Sequence, residues 1–195
     1  MTRRALGVAL AAALLAGCAT ARGILALRQV EFHIDRASGI RLGGVSLDHV
    51  SRYSDLSLGD AARIASYAAR GQMPFEFDLH VVGENPLENN VTARLVRLQW
   101  TLSLNGSETV SGTLDTVYTF PPGQATDVPV PIHLDLARFF RNNARDLFEL
   151  ALGLTGTGGR PTEIALRATP IIDTAIGAIT YPGAITIVRR TVGGP

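Results

Sequence analysis

Three stretches of this chain alternate strictly between apolar and polar residues. In PFEFDLHVV, Phe75, Phe77, Leu79 and Val81 are interleaved with Glu76, Asp78 and His80. In VRLQWTLSL, Val96, Leu98, Trp100 and Leu102 alternate with Arg97, Gln99, Thr101 and Ser103, and in DVPVPIHLD, Val128, Val130, Ile132 and Leu134 share one parity. A period of two marks a strand with one face on a core and the other in water. Several such strands in one chain point to antiparallel sheets that bury one face each.

Two local features refine that reading. Pro129 and Pro131 are two apart, so their missing N–H groups lie on one side of the strand, and that side cannot pair. Residues 127–135 are therefore expected at a sheet edge, guarded against further strand addition. After Asn105-Gly106 the apolar parity resumes with Val110, Gly112, Leu114, Thr116, Tyr118 and Phe120. A two-residue loop would set Leu102 opposite Thr109. A three-residue loop, 104–106, with Gly106 left-handed, sets Trp100 opposite Val110 and keeps one apolar face, and this is the expected turn.

Two helices interrupt the pattern. Ser57-Leu58-Gly59-Asp60 reads as a capping box opening a helix over 58–70 that stops near Gly71, with Leu58, Ala61, Ile64, Ala65 and Ala68 as its apolar side. The second is expected over 136–152, where Leu136, Phe139, Phe140, Ala144, Leu147, Leu150 and Ala151 follow helical spacing. Opposite them stand Arg138, Arg141, Arg145 and Glu149, read as a solvated face diluted by Asp146. GLTGTGGRP, residues 153–161, is read as a loop, and TEIALRA with residues 176–188 as the last strands.

The N-terminus carries an address. Arg3 and Arg4 precede an apolar run from Ala5 to Ala16, and Leu15-Ala16-Gly17-Cys18 follows. A positive start, a short apolar run and small residues make a secretory signal; the run is well short of the ~20 residues of a spanning helix. Residues 15–18 resemble the bacterial lipobox. That resemblance implies cleavage before Cys18, diacylglycerol on its sulfur and, as a rule, an acyl chain on its amine. Two or more chains give stable anchoring where one holds only marginally. Ala19, where enterobacterial inner-membrane lipoproteins carry Asp, favours the periplasmic face of the outer membrane.

The expected organisation is thus a signal over 1–17, an anchor segment over 18–26, one domain over 27–190 and a tail over 191–195. The mature chain keeps about 178 of the 195 residues, with 16 basic against 17 acidic and every basic residue an arginine. A near-neutral chain lacks the basic stripe that nucleic acid requires.

The order of motifs carries a further likeness. A strand runs into Asn85-Pro86, a long strand ends in Leu104-Asn105-Gly106, the next reaches Pro121-Pro122-Gly123, and Val128-Pro129-Val130-Pro131 precedes a helix. This order resembles the LEA14-like family, also called the LEA-2 or WHy (water stress and hypersensitive response) domain, in its bacterial lipoprotein form. The likeness is clearest over 74–136 and weaker to about residue 190, while 47–71 also looks like bacterial members. Leu87 departs from it, where the family repeats Asn after Asn-Pro. What the resemblance implies is a mainly β chain: a two-sheet antiparallel sandwich of the immunoglobulin or fibronectin type III kind with two added helices. It also implies no catalytic residues and no cofactor, and a role in desiccation or other stress. The expected protein is therefore not an enzyme.

Its expected partners are the membrane, through lipid on Cys18, and an envelope protein or lipid. An alternative places a lipid or other apolar ligand in the sandwich interior or in a sheet–helix cleft. Four histidines, His33, His49, His80 and His133, leave a nucleophile–His–acid set open on numbers alone, but no Gly-x-Ser-x-Gly elbow points to one. Glu76, Asp78 and His80 on one strand, with His133 and Asp135 on another, would make a metal cluster if the strands were neighbours. Solvated polar faces are the plainer reading of those five residues. Trp100 keeps the inward phase and is expected in the core.

Overall fold

The structure is a computed structural model that describes residues 25–139, 144–155, 162–174, 177–181 and 183–192. Cys18 and the rest of the signal lie outside the described residues, as do residues 140–143 and 156–161.

Residues 25–29 are helical and lead into β1 (Glu31–Leu42) and β2 (Val45–Ser46). α1 (Leu58–Ala69) follows, then β3 (Pro74–Asn85), β4 (Ala93–Leu95), β5 (Arg97–Leu104), β6 (Ser107–Leu114), β7 (Tyr118–Phe120) and β8 (Gln124–Asp135). The chain ends with α2 (Leu136–Phe139), α3 (Ala144–Thr155), β9 (Thr162–Thr174), β10 (Gly177–Thr180) and β11 (Ile185–Val192). One sheet has the order β2-β1-β3-β8; in the other, β6 and β5 lead to β9, which pairs β10 and β11 along its far side. β4 and β7 form a separate two-stranded ribbon. All the pairings are antiparallel. The mainly β, two-sheet architecture with added helices is the one the alternation and the resemblance foretell.

The inward phases hold. Phe75, Phe77, Leu79 and Val81 from β3, Val128, Val130 and Ile132 from β8, and Leu98, Trp100 and Leu102 from β5 are buried in one core. Each large apolar side chain so buried stabilises the fold by roughly 1.5–3 kcal/mol. Among the described residues β8 is an edge strand whose only ladder runs to β3, with Pro129 and Pro131 opposite His80 and Asp78. Their imide nitrogens face the side that has no neighbouring strand, as the two-residue spacing requires.

The β5–β6 turn differs from expectation. Leu104 pairs with Ser107, so the loop is the two residues Asn105 and Gly106, both left-handed at φ 50 and 78. Positive φ at both positions gives the turn whose twist matches paired strands, and Asn-Gly fits it best. The parity conflict is resolved one step later. Ser103 pairs with Glu108 and Leu102 with Val110, leaving Thr109 as a bulged extra residue, buried with its hydroxyl donating to the Ser107 carbonyl at 2.9 Å. Trp100 consequently faces Gly112, not Val110. β6 stops at Leu114, and Tyr118 and Phe120 belong to the ribbon with β4.

The helices also shift. Ser57 caps α1 by accepting from the Asp60 N–H at 3.1 Å, as expected, but Leu58 is 92% exposed and Ala65 is also at the surface. The inward stripe is Ala61, Ile64 and Ala68 with Tyr67. α1 packs beside β2 and α3, with Tyr67 against Gly43. The second helix is described over α2 and α3, and residues 140–143 between them lie outside the described residues. Phe148, absent from the expected apolar side, is fully buried edge-on to Tyr53 at 5.3 Å. α3 runs to Thr155, so Gly153 and Leu154 are helical and not loop. β11 continues past Arg190 to Val192.

Candidate functional site

A row of polar groups gathers on the outer face of the first sheet, and β1 is the strand that makes this possible. Strict alternation from Ile34 would aim Arg36 and Ser38 at the core, alongside Ile40 and Leu42. Two register shifts prevent it, one between Ile34 and Arg36 and one between Ser38 and Arg41. Each adds a residue to β1 and turns the chain over, so Ala37 packs inward while Arg36 and Ser38 join the outward row of β3. Gly39, at φ 60, supplies the left-handed residue that the second bulge uses.

On that face Ser38 Oγ lies 2.8 Å from His80 Nε2, and His80 Nδ1 lies 2.7 Å from Asp127 Oδ2. The three residues come from β1, β3 and β8, which are neighbours in that order. A carboxylate only accepts, so Nδ1 carries a proton, and in the neutral ring Nε2 then accepts from the Ser38 hydroxyl. Arg36 Nη2 stands 3.3 Å from Nδ1 and 3.9 Å from Asp127 Oδ2, and Arg36 also bonds Asp35. The His80 side chain is 13% exposed, against 43% for Asp127. The Asp127 carboxylate adds to burial in raising the Tyr118 phenol above its ordinary value of 10.0; burial is the larger cause.

The five metal candidates do sit on adjacent strands, yet the register scatters them. Glu76 pairs with His133, and their closest approach is 3.9 Å with both side chains well exposed. His80 pairs four residues away from His133, opposite Pro129, and spends both ring nitrogens on Ser38 and Asp127. Asp135 accepts from the Met73 and Ala137 N–H groups at 2.6 and 3.1 Å and so ties β3 to the start of α2. Asp78 pairs with Ser38 and Pro131. Among the described residues no three His, Cys, Asp or Glu side chains gather as metal ligands.

Between the sheets, Phe32, Val81, Leu95, Leu98, Val128 and Ala168 line an entirely apolar gap of about 10 Å³. That is about the room one water needs, and the lining offers a water no polar partner. At one end of the sandwich Asn85 and Asn89 are buried and bonded to each other. Asn85 Nδ2 donates to the Val91 and Phe120 carbonyls at 3.1 and 2.7 Å, and its oxygen accepts from Asn89 Nδ2 at 2.6 Å. Arg138 is exposed and 4.0 Å from Asp135, while Arg141 and the Arg145 side chain lie outside the described residues. Among the described residues no helix is long and apolar enough to cross a membrane.

Alternation alone does not join residues 38, 80 and 127. Only the two bulges bring Ser38 to the His80 face, and nothing in HIDRASGIRL marks them beyond Gly39.

No protein-family model matches this chain, and no curated protein does. Among solved structures, a protein from Archaeoglobus fulgidus is similar at 15% identity and a TM-score of 0.35, over 83% of this chain and 98% of its own. A protein from Arabidopsis thaliana is similar at 16% identity and 0.40, over 62% and 72%. A candidate late embryogenesis abundant (LEA) protein is similar at 13% identity and 0.40, over 98% and 87%.

Proposed function

We propose that this chain is a lipid-anchored envelope protein of the LEA14-like kind, held by lipid on Cys18 at the periplasmic face of the outer membrane. It works through its outer surfaces in protection against water stress. The lipobox-like Leu15 to Cys18 and the order of turn motifs from Asn85 to Pro131 support the anchor and the kinship. The observation that carries the surface role is the narrow gap between the sheets among the described residues. Ligand pockets measure ~300–1,000 Å³, whereas the gap between these sheets is about 10 Å³. An acyl chain has no room there, which turns the account away from an internal lipid site.

Drying survival tests the reading. A strain lacking the protein is complemented with the native chain or with Cys18→Ala. The proposal expects rescue by the first and loss of rescue with the second. Equal rescue by both would remove the anchor from the account, and no rescue by either would remove the protective role.

A further inference from the structure

We propose that Ser38 is a base-activated nucleophile that transfers acyl groups from small esters to water, with His80 as its general base and Asp127 as the positioning residue. This goes beyond the surface role and does not depend on the anchor.

Three observations carry it. First, the two contacts run in series: Ser38 Oγ to His80 Nε2 at 2.8 Å, and His80 Nδ1 to Asp127 Oδ2 at 2.7 Å. A nucleophile bonded to a base that is itself oriented by a carboxylate is the arrangement recognised by geometry and roles, whatever the fold. Second, the carboxylate fixes the tautomer. With the proton on Nδ1, the free lone pair of Nε2 faces the serine proton, which is the state a general base needs. Third, Ser38 reaches this position only because β1 bulges on both sides of residues 36–38. Bulges concentrate where a side chain is re-aimed at a site, and two of them around three residues do that here.

The chemistry balances with ester and water alone. Ser38 Oγ bonds to the carbonyl carbon while its proton passes to Nε2, and the alcohol leaves with that proton. Water then adds to the acyl carbon, giving a proton to Nε2, and Ser38 takes that proton back as the carboxylic acid departs. Arg36 stands beside His80 Nδ1 and Asp127, across the ring from Ser38, and so bears on the carboxylate end of the series. The face is open, with Arg36 56% exposed, so the substrate class is small acyl esters rather than a ligand held in a cleft.

The test is labelling of the purified full-length chain with an alkyl fluorophosphonate probe, located by peptide mass spectrometry, alongside hydrolysis of p-nitrophenyl acetate. Labelling is expected at Ser38. It should slow at least ~100-fold in His80→Gln, the contribution of a general base, and Asp127→Asn should shift its pH profile. Ser111, which bonds Thr101 on the other sheet, is the internal control and should stay unlabelled. Each variant is checked for native Trp100 emission. No label at Ser38, or equal label in folded His80→Gln, would overturn the proposal and leave the three residues a polar ladder on a wet sheet face.

Discussion

The side-chain amide of Asn89 donates to the carbonyl oxygen of Ala26 at 2.9 Å, joining positions 63 residues apart in a buried contact. Ala26 and Leu27 are themselves buried, so the chain is tied into the sandwich only eight residues after Cys18. An anchor at Cys18 would then hold this end of the sheets within ~30 Å of the bilayer, since eight extended residues reach no farther.

Asn89→Ala removes that bond and also leaves the Asn85 side-chain oxygen without its donor. A buried acceptor left unpaired costs roughly 1–3 kcal/mol. The expected result is a loss of stability of that size in denaturant unfolding, with the slope against denaturant unchanged. A loss below about 0.5 kcal/mol would show that the Asn pair is not a structural plug.

Gly112 is held by the Trp100 indole. A Cβ there would sit 2.4 Å from Cζ2 and 2.8 Å from Cε2 of Trp100, closer than atoms approach. Gly112→Ala must therefore push the ring, at about 1–3 kcal/mol for an overpacked core. Because Trp100 is the sole tryptophan, its emission should change while the melting temperature falls. Native emission with native stability would place the indole elsewhere.

Removing the edge protection should create an association surface. In Pro129→Val/Pro131→Val two N–H groups would point from β8 into solvent, a template for another strand. Size-exclusion chromatography should show concentration-dependent self-association in the double variant beyond that of the native chain. Identical elution profiles would mean that the prolines do not guard this edge.

Tyr118 gives a pH signature. Its folded pKa lies above 10.0, so the folded state holds the phenol proton more tightly than the unfolded chain does. The sign follows: the stabilising contribution is complete below about pH 10 and is lost as pH climbs through the folded value. Phenolate absorbance should show one of the four tyrosines titrating late. Asp127→Asn should bring it part of the way back, because burial is the larger cause. No late tyrosine in the folded protein would contradict this environment.

The sheets were largely legible in the amino-acid sequence, and the site was not. Alternation located the inward rows of β3, β5 and β8, and two prolines located the edge, because each is a local consequence of the pleat. At the β5–β6 turn parity does not fix loop length. A bulge at Thr109 restored parity after a two-residue turn. In β1, a strand the alternation did not bring out, the same device used twice turns Arg36 and Ser38 outward where strict alternation from Ile34 would turn them in. A bulge shifts phase by one without a residue type of its own, so period counting passes over it. Leu58 escaped for another reason: helical spacing names a stripe, and only the neighbours of α1 decide how wide it is.

The measurement that tests the central claim most directly is the intact mass of the native chain extracted from envelopes, with peptide mapping of its N-terminus. The account predicts a chain that begins at Cys18 and carries the added mass of diacylglycerol and an amide-linked acyl chain, both lost in Cys18→Ala. A chain that begins elsewhere, or a Cys18 with a free thiol, would contradict it.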